Sequence, residues 1–90
     1  MVRVSVEQIF GIENGHLLVA VRVINGDVRL GDIFKVEDGR DNNLHTVRGI
    51  NCYNRDMDEL SEGHTGGLAF ETARFNYQLP ILLIKTDSSA

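Results

Sequence analysis

Basic and aromatic residues lie close together in one segment of this sequence, "RGINCYNR". The residues concerned are Arg48, Tyr53 and Arg55. Guanidinium groups bind phosphate and aromatic rings stack on bases, so this combination is typical of an RNA-binding surface. Arginines at the end of a strand are also common on ordinary protein surfaces. The segment therefore supplies candidate ligand-binding residues, and a purely structural interpretation stays open beside it.

Acidic residues follow directly, in "DMDELSEG". The carboxylates are Asp56, Asp58, Glu59 and Glu62. A group of this kind suits contacts with a basic protein such as a nuclease, because opposite charges steer two proteins together. The segment lacks the glycine and the final glutamate of a calcium loop, so no calcium site is predicted. These four residues are candidate partner contacts.

A helical turn is the simplest structure to predict for residues 54–63. Asn54 and Asp56 have side chains that cap a helix at its start, and Gly63 is typical of the position after a helix ends. The carboxylates would then lie near the positive end of the helix dipole.

The rest of the sequence holds no arrangement typical of catalysis or of metal binding. His16, His45 and His64 lie in separate segments, and none stands at zinc-ligand spacing from Cys52. A phosphate-binding loop of the G-x-x-x-x-G-K-[ST] type and a nucleophile elbow are both missing. We therefore predict no catalytic residue, no metal, no cofactor and no enzymatic activity, GTP hydrolysis included.

Length and composition indicate one small domain spanning residues 1–90. The chain has 90 residues, a formal net charge of −4 and a single cysteine. The charge disfavours general attraction to a phosphate backbone, although a local basic patch is compatible with it. The start "MVRVSVEQIF" lacks the unbroken apolar stretch of a signal peptide, and no apolar run reaches the roughly 20 residues that span a bilayer. We expect a cytoplasmic protein with no membrane contact.

The spacing of the apolar residues predicts an all-β fold. Val2, Val4 and Val6 alternate with polar residues, as on the half-buried face of a strand. The predicted strands begin there and continue at 16–24, 28–37, 44–53, 66–71 and 79–86. Six short strands with turn residues between them favour a small antiparallel β-barrel, closed or nearly closed, because closure removes exposed edges. The segment "DSSA" is predicted to be a frayed tail.

The stretch "VRVINGDVRLGDIF" is predicted to be a scaffold hairpin. Asn25 and Gly26 both tolerate the positive φ angles of a tight turn. Gly31 and Asp32 mark a second bend before the next strand. We interpret this stretch as a corner of the barrel, not as a site.

Two longer stretches resemble a known domain. "VEQIFGIENGHLLVAVRVINGDVRLGDIF" and "HTVRGINCYNRDMDELSEGHTGGLAF" resemble the second domain of the translational GTPases, best known from elongation factor Tu. The matching features are Arg22, the pair Gly26 and Gly31 around a short strand, and the loop that re-enters the barrel. The resemblance covers about residues 4–71 and implies a β-barrel.

The resemblance also implies a binding site. In elongation factor Tu the matching strand helps to line the pocket for the terminal adenosine of aminoacyl-tRNA, which places Glu7, Phe10 and Ile12 at pocket positions. An aromatic face that stacks on a base, and a carboxylate that accepts its hydrogen bonds, suit that role. The alternative is that Phe10 and Ile12 are core residues and that Glu7 is a solvated surface residue.

Three hypotheses follow for function. The first is a free-standing, non-enzymatic binding module that acts on a protein or on RNA, including the ribosome. The second is a small acidic inhibitor or immunity-type protein that blocks another protein. The third is a homo-oligomer that pairs edge to edge through the exposed strand "LPILLIKT". We favour the first and keep the second as its alternative.

Overall fold

The computed structural model describes residues 1–86, so the tail predicted at 87–90 lies outside the described residues. Within them the chain is entirely strand, turn and loop. The strands are β1 (Arg3–Glu13), β2 (His16–Asn25), β3 (Val28–Arg29), β4 (Ile33–Val36), β5 (His45–Cys52), β6 (Arg55–Met57), β7 (Glu59–Leu60), β8 (Thr65–Thr72) and β9 (Ile81–Thr86). No helix in this part of the chain is long and apolar enough to cross a membrane.

Six of these strands form a closed antiparallel ring. They follow one another in the order β4, β9, β1, β2, β8 and β5, and a pairing between β4 and β5 closes the ring. At this seam Ile33 lies opposite Thr46, and Phe34 lies opposite His45. The predicted six-stranded barrel is confirmed. A separate two-stranded sheet, formed by β3 and β7, lies beside it.

The interior of the ring is filled mainly by branched aliphatic residues. Val4, Val6, Val19 and Val21 are fully or almost fully buried, as their two-residue spacing predicts. Phe34 and Phe70 meet edge to face with ring centroids 6.3 Å apart. Every strand of the ring contributes to this core, so its burial stabilises the closed arrangement.

The helical turn predicted for residues 54–63 is wrong. β6 extends β5 as a hairpin, and β7 pairs with β3 through Val28 opposite Leu60. A local hairpin for β6 and a pairing with a distant segment for β7 thus satisfy the backbone groups that a helix would have satisfied within itself. The strand predicted at 28–37 is likewise two strands, because the chain turns at Gly31, where φ is 88°.

The predicted scaffold hairpin also differs from the structure. β2 pairs with β1 and β8, and β3 pairs with β7, so the two strands flanking the turn do not pair with each other. Gly26 has the expected positive φ of 72°, but Asn25 does not belong to the positive-φ residues. The stretch is a corner that passes from the ring to the small sheet.

The expected free edge at "LPILLIKT" is wrong as well. β9 pairs with β1 on one side and with β4 on the other. It covers β1 only along residues 3–6, so within the described residues β2 is the only strand neighbour of β1 from residue 7 to residue 13. The edge that was expected on β9 is therefore found on β1 instead, along residues 7–13.

His45 connects two chain segments at the end of the barrel next to the seam. It is fully buried, its Nδ1 lies 2.6 Å from the Thr72 hydroxyl, and its Nε2 lies 3.2 Å from the Tyr77 hydroxyl. The Tyr77 hydroxyl donates to Asp41 at 2.8 Å. The ring also meets Phe75 edge to face. These contacts tie the 41–45 segment to the 72–77 segment.

We predict that alanine at Gly26 destabilises the protein more than alanine at Gly31. Both substitutions place a side chain at positive φ, which costs about 1 kcal/mol each. Only at Gly26 would the new Cβ meet other atoms, 2.9 Å from the Val2 side chain and 3.2 Å from the Met1 carbonyl oxygen. We expect about 1 kcal/mol of extra loss from this crowding. Urea denaturation measures both values, and equal losses would contradict the crowding.

We also predict that acid weakens the fold through His45. Burial lowers the pKa of His45 from its ordinary value of 6.5, and nearby Asp41 opposes this effect. The unfolded chain therefore holds the proton more tightly than the folded chain. The contribution of neutral His45 to stability is fully present above pH 6.5 and decreases as the pH drops below that value. The melting temperature should be lower at about pH 5 than at about pH 7.5.

Variants at two histidines check this prediction. In His45→Gln the difference in melting temperature between the two pH values should shrink, because glutamine does not titrate. In His16→Gln, which replaces a half-buried residue at the start of β2, the difference should stay. An unchanged difference in a folded His45→Gln protein would overturn the assignment to His45.

Candidate binding groove

Two β-bulges in β1 set the direction of Glu7 and Phe10. Val6 and Gln8 lie opposite consecutive residues of β2, and so do Ile9 and Gly11. Glu7 and Phe10 are the extra residues, with no partner across the strand pair. A bulge interrupts the regular alternation of side chains and so redirects one of them. The two bulges turn both side chains toward the outer face of the barrel.

A groove lies on this outer face. It consists of two adjoining depressions, of about 360 and 450 Å³, which share Phe10, Asn51 and Gly67. Its floor is made by small residues of three neighbouring strands: Ala20, Gly49, Gly66, Gly67 and Ala69. Cross-strand pairs set these residues side by side, such as Ala20 opposite Gly67. The small size of these residues on adjacent strands thus creates the hollow.

All the charged residues that line the groove are acidic. Glu13 and Asp56 border the smaller depression, and Glu7 borders the larger one. Within residues 1–86 none of the three forms an ion pair with a basic side chain. Glu7 accepts a short hydrogen bond from the Ser5 hydroxyl. The groove is therefore apolar at its floor and negative at its borders.

Tyr53 projects from the hairpin between β5 and β6, at one end of the groove. Tyr53 and Asn54 form the turn with φ angles of 55° and 61°, and the Tyr53 side chain is 85% exposed. Positive φ is uncommon for a bulky residue and costs energy that surrounding structure must supply. Because so little of the ring is buried, packing does not account for a tyrosine at this position.

Basic residues lie near Tyr53 in two further depressions that adjoin the groove. Arg22 and His64 line one of them with Tyr53, and Arg55 and His64 line the other with Tyr53. The two arginines are exposed and form no ion pair within the described part of the chain. We call Tyr53, Arg22, Arg55 and His64 the Tyr53 cluster.

The predicted ligand-binding residues are only partly brought together. Glu7, Phe10 and Tyr53 line the groove, and Arg55 lies in the Tyr53 cluster. Ile12 is 76% exposed but lines neither depression of the groove. Phe10 is 63% exposed. The alternative interpretation of Phe10 and Ile12 as core residues is therefore wrong.

Arg48 lies apart from the other predicted ligand-binding residues. Its Nε donates to Glu71 on the neighbouring strand β8 at 3.0 Å. This hydrogen bond lowers the pKa of Glu71. The ion pair with Glu71 therefore engages the Arg48 guanidinium, which the sequence offers as a phosphate contact. The arginine that lies with Tyr53 in one depression is Arg22.

The four predicted acidic contacts divide into two pairs. Asp56 and Asp58 are exposed and form no ion pair within residues 1–86. Glu59 pairs with Arg29 at 2.8 Å, and Glu62 accepts the Gly26 backbone N–H at 2.7 Å. The second pair holds the small sheet and the corner in place, so it is less available to a partner.

Sequence reasoning missed Glu13, Asn51 and the small residues of the groove floor. A usable signal was present, because Gly49, Gly67 and Ala69 occupy outward positions of their strands where other strands carry larger residues. No three His, Cys, Asp or Glu side chains among residues 1–86 meet closely enough to hold a metal ion. The groove is suited to noncovalent contact by stacking, apolar packing and charge.

Comparison with known proteins supports the fold. No family model and no curated protein matches the sequence. Among solved structures, GDP-bound aIF5B from Aeropyrum pernix is similar with a TM-score of 0.71 and 18% identity, over 91% of this chain and 14% of that chain. The bacterial selenocysteine-specific elongation factor EF-Sec is similar with a TM-score of 0.70 and 17% identity, over 93% and 14%. Both are translational GTPases.

This chain therefore spans about 14% of the length of those proteins and has the fold of one of their β-barrel domains. The predicted resemblance is confirmed at the level of the fold.

We predict that Tyr53→Asn stabilises the protein. Asparagine adopts positive φ more readily than tyrosine, and the exposed ring gives up little packing. The gain in the free energy of unfolding should be about 0.5 to 1 kcal/mol. Urea denaturation measures it, with Tyr53→Ala as a control that removes the ring without the conformational benefit. A loss of stability in Tyr53→Asn would show that the ring supports the fold.

Proposed function

We propose that this chain, with its barrel of the translation-factor type, acts as a non-enzymatic binding module in the cytoplasm. The groove beside Phe10 is its proposed contact with a protein or RNA partner. One observation carries the proposal. A large aromatic side chain, 63% exposed, is directed by a bulge into an open hollow on the barrel surface. Exposed apolar surface next to a hollow is typical of interaction sites.

The floor of the groove strengthens this proposal. Gly66 has no room for a side chain, because a Cβ there would lie 2.9 Å from the Asn51 carbonyl oxygen. At Gly67 a Cβ would lie at ordinary contact distance, with the nearest atom 3.7 Å away. Packing therefore requires glycine at position 66 but not at position 67. An open position at Gly67 fits a surface that leaves space for a partner.

The Tyr53 cluster supports RNA as one of the two partner classes. A flat exposed ring stacks on an unpaired base, and Arg22 and Arg55 offer charge to phosphate. One of the similar structures is an elongation factor, which agrees with a partner from the translation machinery.

We expect Phe10→Ala to reduce partner capture strongly. The tagged protein is incubated with a cytoplasmic extract, one half of which is treated with nuclease, and the retained protein and RNA are identified. Leu82→Ala is the matched control, because it removes an exposed apolar side chain from β9, away from the groove. Phe10 is exposed, so its loss should change the free energy of unfolding by less than about 1 kcal/mol.

The comparison of variants decides the outcome. If a protein or RNA that the native chain retains is lost with Phe10→Ala but kept with Leu82→Ala, the groove is supported as the contact. Equal retention by both variants and the native chain would contradict it. Sensitivity to nuclease then separates an RNA partner from a protein partner.

An acidic inhibitor is the second candidate function. Asp56 and Asp58 are exposed and free of ion pairs within residues 1–86, so a basic protein has two carboxylates to meet. This function requires a one-to-one protein complex that resists nuclease and that salt dissociates. Asp58→Asn should weaken such a complex while leaving a contact through Phe10 unchanged.

A further inference from the structure

We infer that the groove receives an arginine side chain from an extended segment of a partner protein. This inference rests on the proposed function and names the partner class of the same groove. Charge, shape and the chemistry of the lining residues point to it independently.

Charge selects a cation as the occupant. Glu13 and Asp56 border the smaller depression, Glu7 borders the larger one, and no basic side chain lines either. Within residues 1–86 these carboxylates have no basic partner. A cationic head placed between the groove borders would gain charge-assisted hydrogen bonds that water supplies only in weaker form. The net charge of −4 adds long-range attraction for a basic partner.

Shape and apolar lining select a side chain with an aliphatic stem. The smaller depression is lined by Leu18, Val19 and Ala69 in addition to Phe10. Arginine and lysine both lay their methylene groups along apolar surface while the charged head stays near water. A small inorganic cation would leave this apolar surface uncovered. The groove thus fits a long basic side chain better than a metal ion.

Phe10 favours arginine over lysine. The planar guanidinium stacks on an aromatic face and also binds a carboxylate through two N–H groups. Phe10 lies between the two depressions, so a guanidinium beside it is within the same groove as carboxylates on both sides. The ammonium of lysine offers a compact charge and lacks a flat surface to stack.

An RNA strand is a poorer occupant for this groove. Its phosphates would approach carboxylates, whereas Arg22 and Arg55 line two other depressions, which share Tyr53 with the groove. Like charges brought together in this way weaken binding. Binding of RNA in the groove would therefore contradict the inference, and the experiment includes an RNA probe.

Peptide titration tests the inference. The probe is acetyl-Gly-Val-Arg-Val-Gly-amide, and its control replaces arginine by citrulline, which keeps the shape and removes the charge. Amide shifts of the isotope-labelled protein report the position of each peptide. We expect shifts at Leu18, Gly67 and Ala69, with binding about tenfold tighter for arginine than for citrulline. A lysine peptide should bind with intermediate affinity.

Variants of the lining residues locate the contact. Glu13→Gln and Asp56→Asn should each weaken binding of the arginine peptide about threefold to tenfold. Asp58→Asn is the matched control, because Asp58 is an exposed carboxylate nearby that lines neither depression. Phe10→Leu should reduce the preference for arginine over lysine, since it keeps apolar volume but removes the aromatic face.

Three results would overturn the inference. The first is equal binding of the arginine and citrulline peptides. The second is an effect of Asp58→Asn as large as that of Asp56→Asn. The third is a single-stranded oligouridylate that shifts the groove residues while the arginine peptide does not. In that third case a strong reduction of partner capture in Phe10→Ala would show that the proposed binding function stands without its arginine ligand.

Discussion

Closure of the ring between β4 and β5 is the constraint on which the rest of the structure depends. Ile33 and Phe34 pair with Thr46 and His45, and two further backbone hydrogen bonds of 2.8 Å join Gly31 and Asp32 to Val47. This short seam converts a curved sheet into an enclosed core. Without it the valines of β1 and β2 would face water on one side. The outer face that carries the groove exists only because the ring curves around that core.

Local patterns in the sequence predicted the strands that the core defines. Alternating valines identified β1 and β2, because each strand has one buried face. β6 and β7 escaped prediction for the opposite reason. They are two or three residues long, which is too short for a periodic pattern. Leu60 becomes a strand residue only by lying opposite the distant Val28, whereas β6 pairs with the adjacent β5 in a hairpin. Residues with capping side chains favoured a helical turn instead.

The site shows the same division between local and distant causes. The family resemblance singled out Glu7 and Phe10, and the structure places both on the groove. Their direction depends on two bulges, which the count of apolar and polar residues does not reveal. Asp56 reaches the groove only through the hairpin at Tyr53, and Arg48 is held by Glu71 on the next strand. Such encounters depend on register, which is a property of the folded sheet.

The bulged half of β1 has a bearing on solubility. From residue 7 to residue 13 this strand offers backbone donors and acceptors to other molecules, since β9 covers only residues 3–6. A flat strand with such an edge would act as a template for stacking into fibrils. The two bulges break the regular spacing of its hydrogen-bonding groups, and carboxylates stand at both ends. The irregularity that directs Phe10 outward therefore also makes this edge a poor template for the addition of another strand.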